Sequence, residues 1–395
     1  MSEEIISKND IKERIQKLQD FLCDTGLDGS LIIQRADLLY YTGISFQGAL
    51  VVPAKGDSRI YVWRGYGKFD DNFPIEYHNV LGLSGLTTSL SESEFAKWTE
   101  IGLEEDVLPV AIFKRLFLKT WSVGNFHDIS TQIRNQRSVK SEIELKWIRA
   151  SGKTLVKGFE ALPGIICEGM PEYEIQAQMD VILRREGDQS YVRARAFNSE
   201  AIGVVAFGAS GAGDNALDGP ICQPGRSSFA QMGGGDRVVK PDFPLAVDVT
   251  TAVNGYTTDM TRCYSLGKLD SRFTDAHNFC VKLIEDIFAK MIPGAIPEEI
   301  YFWALNEAKT AGYEDVFMNS GYNKVRFLGH GIGIELDEWP VLAKRFTEPM
   351  KEGMVVAIEP KIIFQDGTVG VEDTVIVKEG GAEVVTGMKR EIIQL

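Results

Sequence analysis

The chain has 395 residues, with 42 Lys plus Arg against 56 Asp plus Glu and a formal net charge of −14. That balance repels nucleic-acid backbones and anionic lipid unless basic residues are concentrated somewhere, and the sequence holds no such patch, so neither nucleic acid nor membrane is an expected partner. A hydrophobic content of 44%, a charged content of 25% and a mean hydropathy of −0.08 exclude a disordered, collagenous or membrane-embedded chain.

The opening Met1-Ser2-Glu3-Glu4-Ile5-Ile6-Ser7-Lys8 lacks the basic end and apolar stretch of a signal peptide, which makes a cytoplasmic setting the expectation. Cys23, Cys167, Cys222, Cys263 and Cys280 are scattered without a Cys-x-x-Cys pair and read as reduced thiols.

The length predicts two domains. In residues 1–135, Asn9 or Asp10 is expected to cap a helix whose apolar positions Ile11, Ile15, Leu18, Phe21 and Leu22 share one face, with Gly26 as its stop. Strands are expected at residues 31–33, 50–53 and 60–63, giving a small α/β unit with a mixed sheet. Residues 136–395 open with a capping box, Ser141 and Glu144, ahead of the helical stripe Leu145, Ile148, Leu155 and Phe159.

An internal echo follows. Gly169-Met170-Pro171-Glu172 leads into a helix ending near Gly187, and Gly294-Ala295-Ile296-Pro297-Glu298 into one ending near Gly312, each with Pro and Glu as a helix-start signal. The stretch Gly208-Ala209-Ser210-Gly211-Ala212-Gly213 has the wrong glycine order for a dinucleotide loop and no acid to complete one. It reads as a turn, as does Gly233-Gly234-Gly235.

Two segments carry chemistry. In the first, Asn254-Gly255 between β-rich flanks signals a two-residue hairpin loop. Val253 then faces Tyr256 and Asp259 faces Thr250, which makes Asp248 the diagonal neighbour of Asp259. In the second, Asp366-Gly367 as the loop makes Glu372 face Lys361, with Glu359 again the diagonal neighbour of Glu372. Acids among Ala-Val and Val-Val-Ala-Ile runs are costly to bury unless a cation cancels their charge. Between the hairpins lies a nitrogen donor, His330 in Gly329-His330-Gly331-Ile332-Gly333, where the glycines are expected to clear the approach to the imidazole. Four carboxylates and one imidazole suit two divalent ions, with Mn²⁺, Fe²⁺ or Co²⁺ favoured and Zn²⁺ allowed.

At these residues the chain resembles the pita-bread metallopeptidases, the group that includes methionine aminopeptidase, Xaa-Pro aminopeptidase and prolidase, with creatinase as a metal-free cousin. The motifs are Asp248 and Asp259, His330 in Gly-His-Gly-Ile-Gly, Glu359 in Ile-Glu-Pro, and Glu372 in Val-Glu-Asp-Thr. The resemblance implies a pita-bread C-terminal domain behind a smaller creatinase-like N-terminal α/β domain, and a homodimer. It further implies that Asp259 and Glu372 bridge two metals, that Asp248 completes one site, and that His330 with Glu359 completes the other.

By the same resemblance the enzyme is a hydrolase of a short peptide or other small amide. A hydroxide shared by the two ions attacks the substrate, and Glu359 moves the proton.

Three positions depart from the family pattern. The family string His-Glu-x-Pro is Asp337-Glu338-Trp339-Pro340 here, a second family His would fall around Leu217-Asp218-Gly219-Pro220, and the Arg two residues before the last Glu is Gly370. Asp337 is read either as a pocket group, where an acid favours a cationic substrate, or as a rim residue bonded to backbone. It could instead serve as the base of a metal-dependent lyase resembling the dimethylsulfoniopropionate lyases. A non-catalytic pita-bread binding protein would be expected to lose metal ligands or gain a basic surface, and the sequence does neither.

Overall fold

The computed structural model describes residues 6–395 apart from 196, 198–201, 215–217, 228 and 231. Residues 1–5, part of the stretch read as no signal peptide, and Leu217 lie outside the described residues. The chain divides into two units, Met1–Arg137 and Ser138–Leu395. No helix among the described residues is long and apolar enough to cross a membrane, and all five cysteines are free thiols.

The first unit starts with the helix Lys8–Thr25, which ends at Gly26 in the left-handed conformation, φ 73°. Its cap is Ser7 rather than Asn9 or Asp10. The Ser7 hydroxyl accepts the Asp10 N–H at 3.1 Å and the Asp10 carboxylate accepts the Ser7 N–H at 3.2 Å, so Asp10 works one turn inside the helix as the reciprocal partner.

The sheet of this unit contains β1 (Gly29–Ile32), β2 (Gln47–Pro53), β3 (Arg59–Arg64), β4 (Glu76–Asn79), β5 (Glu100–Leu103) and β6 (Asn125–Asp128), in the order β4-β3-β2-β1-β5-β6. Pairs β1/β2 and β2/β3 are antiparallel and the rest parallel, so the sheet is mixed. From Gly48 on, every residue of β2 is buried, which is the signature of a strand covered on both faces.

The second unit is built on β7 (Val204–Phe207), β8 (Leu245–Val253), β9 (Tyr256–Ser265), β10 (Phe327–Gly331), β11 (Glu338–Ala343), β12 (Val355–Ile358), β13 (Lys361–Phe364), β14 (Gly367–Gly370) and β15 (Glu372–Ile376). The main sheet runs β11-β10-β12-β15-β9-β8-β7. Alternate residues of β7 and β8 enter two different cores. Val204, Ala206 and Ala246 pack with Phe273, Cys280 and Ile284 of the helix Ser271–Lys290, while Val205, Val247 and Val249 pack with Leu155 and Phe159 of Glu142–Ala161 and Ile175 and Met179 of Glu172–Arg185. Helices therefore cover both faces. Pro297 opens the helix Pro297–Thr310 at its first position, whereas Pro171 precedes the helix Glu172–Arg185 as its cap.

Glu172 is buried, and its carboxylate accepts the N–H groups of Phe207 at 2.7 Å and Gly235 at 3.0 Å and an amide hydrogen of Gln223 at 2.6 Å. The residue read as a helix-start signal is thus the tie that fastens the 233–235 glycine turn to the sheet.

The first hairpin has the expected register. Val253 faces Tyr256, Thr250 faces Asp259 and Asp248 faces Thr261, with Asn254 at φ 51° and Gly255 at φ 90° as a type I′ loop requires. The second differs by two residues. Phe364 faces Gly367 and Lys361 faces Gly370, so the loop is Gln365-Asp366 and Lys361 does not face Glu372. Gly367 is the first residue of β14, and a Cβ there would lie 2.5 Å from the Phe273 ring and 2.9 Å from Pro244. Packing against a helix, not turn chemistry, selects that glycine. Beyond Pro360 and Val371 the two strands rejoin the main sheet, where β12 pairs with β15 and Glu372 faces Thr261 of β9.

His277 on the helix Ser271–Lys290 is buried, its Nε2 lies 2.6 Å from the Arg390 carbonyl and its Nδ1 has no hydrogen-bond partner. Burial lowers its pKa to about 4. The unfolded chain takes up the proton near the ordinary value of about 6.5, so the stability this neutral ring contributes is complete above that pH and is lost as pH falls toward 4. Denaturant titrations across this window are expected to show a loss on the order of 3 kcal/mol that is absent in His277→Gln; equal slopes for the two proteins would contradict the assignment.

Candidate metal centre and substrate cavity

Five side chains from separate strands converge. Asp248 and Asp259 share a face of the β8/β9 hairpin, Glu372 enters from the start of β15, Glu359 follows the end of β12, and His330 lies on β10 opposite Ala357. The Glu359 N–H donates to the Leu328 carbonyl at 3.0 Å, which registers Glu359 against the His330 strand.

The glycines around His330 serve backbone packing rather than access to the ring. A Cβ at Gly329 would sit 2.3 Å from the Ala357 carbonyl oxygen, and one at Gly331 2.4 Å from that of Trp339. Only glycine lets β10 approach both neighbours so closely.

Ligand atoms of Asp259, His330 and Glu372 lie within 4.8 Å of one another, as do those of Asp248, Glu359 and Glu372. The two groups meet at Glu372 and differ in what fills them. In the first, Asp259 accepts the Met260 N–H at 2.8 Å and burial, reinforced by Glu372 and Asp248, pushes its carboxyl well above the ordinary range. Such a group needs a cation, and one imidazole with two carboxylates is a donor set that fits a divalent ion.

The second group already has a cation. Lys361 Nζ lies 2.9 Å from Asp248 Oδ2, 2.7 Å from Glu359 Oε2 and 2.8 Å from Glu372 Oε2, with no exposed side-chain surface. Burial works against its charge, but the three carboxylates outweigh that and hold its pKa well above the lysine value. Burial also raises the carboxyls of Asp248, Glu359 and Glu372, and Lys361 opposes the rise in all three. Sequence reasoning paired Lys361 with Glu372 across a strand and gave it no role. The available signal was a lysine inside the apolar run Ile362-Ile363-Phe364 two residues after an acid.

The group opens on a cavity of about 350 Å³ with apolar walls that include Val204, Ile221, Phe327 and Val341. Asp337 and Asp218 line it too. Asp337 Oδ1 is 3.5 Å from His330 Nδ1, with its side chain 49% exposed, and burial followed by the charge of Asp337 raises the pKa of Asp218. His330 is held above its ordinary pKa: burial opposes the charged ring, but Asp337, Glu359 and Glu372 prevail. Glu338 points away into a pair with Lys140 at 3.1 Å. Among the described lining residues there is no Arg or Lys.

The model of metallopeptidase family M24 matches residues 146–379, and that of the creatinase/prolidase N-terminal domain matches residues 14–139. The sequence is 25% identical over 403 residues to the Xaa-Pro dipeptidase of Pyrococcus furiosus, covering 97% of this chain and 100% of the relative. It is 25% identical over 392 residues to that of Pyrococcus horikoshii, covering 97% and 99%. Among solved structures, the Xaa-Pro dipeptidase from Bacillus anthracis superposes with a TM-score of 0.82 at 22% identity over 98% of this chain and 100% of the other. The prolidase from Pyrococcus horikoshii OT3 gives 0.79 at 22% identity over 96% and 100%.

Lys361 and Gly370 form one unit. A Cβ at Gly370 would lie 2.5 Å from the Pro360 carbonyl oxygen, 2.7 Å from Lys361 Cα and 2.8 Å from its Cγ. Gly370→Ala is expected to cost roughly 1–3 kcal/mol in chemical denaturation by forcing this strand pair apart. Unchanged stability would show that the strands yield without cost.

Proposed function

Since the chain belongs to metallopeptidase family M24 and is a peptidase-like hydrolase, we propose that it cleaves a dipeptide or other small amide with a divalent cation held by Asp259, His330 and Glu372. The observation that carries this reading is the convergence of those three buried donors on one cavity. When bound, such an ion lowers the pKa of water from 15.7 toward roughly 7 and polarises the scissile carbonyl. Mn²⁺, Fe²⁺ or Co²⁺ suits the donor set best. Glu359, beside Lys361 and within the same group of acids, is placed to take the proton of the attacking water and pass it to the leaving amine.

Asp218 and Asp337 set the substrate preference. With two acids beyond Asp248, Asp259, Glu359 and Glu372 and no Arg or Lys among the described lining residues, the cavity offers little to a substrate carboxylate and favours a positively charged amine. Xaa-Pro dipeptides, the substrates named for the relatives, remain the first compounds to assay, and amides with a cationic group beside the scissile bond are expected to be better. The same acid pair supports a second reading, proton abstraction by Asp337 beside a sulfonium or ammonium group. Such a lyase breaks the bond from carbon to the sulfonium or ammonium group and releases an alkene acid and a neutral sulfide or amine without consuming water, whereas hydrolysis adds one water across the amide to give an acid and an amine, so product identification separates the two.

Chelation is expected to abolish turnover and Mn²⁺ or Co²⁺ to restore it; full activity of a metal-free preparation would sink the proposal. Asp337→Asn is expected to raise KM for cationic amides roughly 3- to 10-fold with kcat little changed, the loss expected of one partly exposed charge pair. An unchanged KM would place Asp337 outside substrate binding.

A further inference from the structure

Resting on the metal-dependent reading of the same site, we propose that the Lys361 ammonium holds the place of a second cation, so that the chain binds one divalent ion rather than the two that its carboxylates suggest. An ammonium has three donors, and each of the three is matched to a different carboxylate: Asp248, Glu359 and Glu372. These are the residues of the second potential ion group. The same Glu372 oxygen, Oε2, also accepts the Thr261 hydroxyl at 2.8 Å, which leaves the other oxygen of Glu372 to join Asp259 and His330 around the ion.

Lys361 has no ready way to vacate this place. It is fully buried, its stem runs beside Gly370 where even a methyl group would collide with it, and any other buried position would leave its charge without acids. Gly370 is thus glycine to admit the Lys361 stem.

Charge balance agrees with this assignment. Against four carboxylates, one ammonium and one divalent ion leave a single negative charge, which the cationic group of a substrate cancels. Two divalent ions beside Lys361 would leave the site positive and place an ammonium directly against a dication. The lysine also fixes three carboxylates in position without an ion, so the second half of the site is organised before any metal binds.

The test is the number of ions and their magnetic coupling. The wild-type chain is saturated with Mn²⁺, freed of excess metal, and measured by native mass spectrometry and electron paramagnetic resonance. One ion per chain with the spectrum of an isolated Mn²⁺ is expected. Two ions per chain, or an exchange-coupled pair, would overturn the inference while leaving the metal-dependent reading intact. No bound ion in a folded preparation would overturn both.

Lys361→Met, which keeps the stem and removes the charge, is expected to raise the count from one to two and to produce the coupled spectrum. A folded Lys361→Met protein that still holds one ion would show that the lysine is not what excludes the second. Should that variant fail to fold, the wild-type count alone still decides between one ion and two.

Discussion

Four carboxylates, those of Asp248, Asp259, Glu359 and Glu372, are packed into strands whose other residues are mostly Ala, Val, Ile and Thr, and they coexist only because cations share the space with them. Lys361 supplies one such charge from within the chain. Its three hydrogen bonds tie together the β8/β9 hairpin, the end of β12 and the start of β15, the same elements that carry the remaining ligands. The site is therefore a joint of the fold as well as a place for chemistry. Removing the ammonium would leave three acids without the cation they share.

The departures from the family pattern fall into two sets with different consequences. Gly370 admits the stem of Lys361, whose ammonium neutralises acids beneath the cavity. Asp337 and Asp218 act at the cavity and alter what can be bound there. Asp218 and Asp337 add acids to a cavity that holds no Arg or Lys among its described lining residues. One sheet and strand register can carry different specificities, because fold and specificity reside in different residues.

Features governed by local rules were legible in the sequence. The Asn254-Gly255 loop determines the register of β8 and β9, because a two-residue loop with two positive φ angles admits a single pairing, and the Asp248–Asp259 diagonal follows from it. The helix Lys8–Thr25 and its stop at Gly26 were likewise readable from periodicity, although the cap read there was Asn9 or Asp10 and hydrogen bonding selects Ser7. His330, Glu359 and Glu372 could be recognised by motif, but spacing alone could not show that they meet.

Long-range packing decided the rest. Gly367 looks like a turn residue yet opens β14 against the Phe273 ring, and the partner of Lys361 lies two positions from the expected one. The glycines beside His330 answer to backbones that arrive from β11 and β12, not to anything adjacent in the chain. The sequence by itself determined the acids, the histidine and the first hairpin, since those depend on residue type and on turns of two residues. Only the tertiary structure decided that the Lys361 ammonium also reaches Asp248, because the two residues lie 113 apart in the chain and no local rule brings β8 to the start of β13.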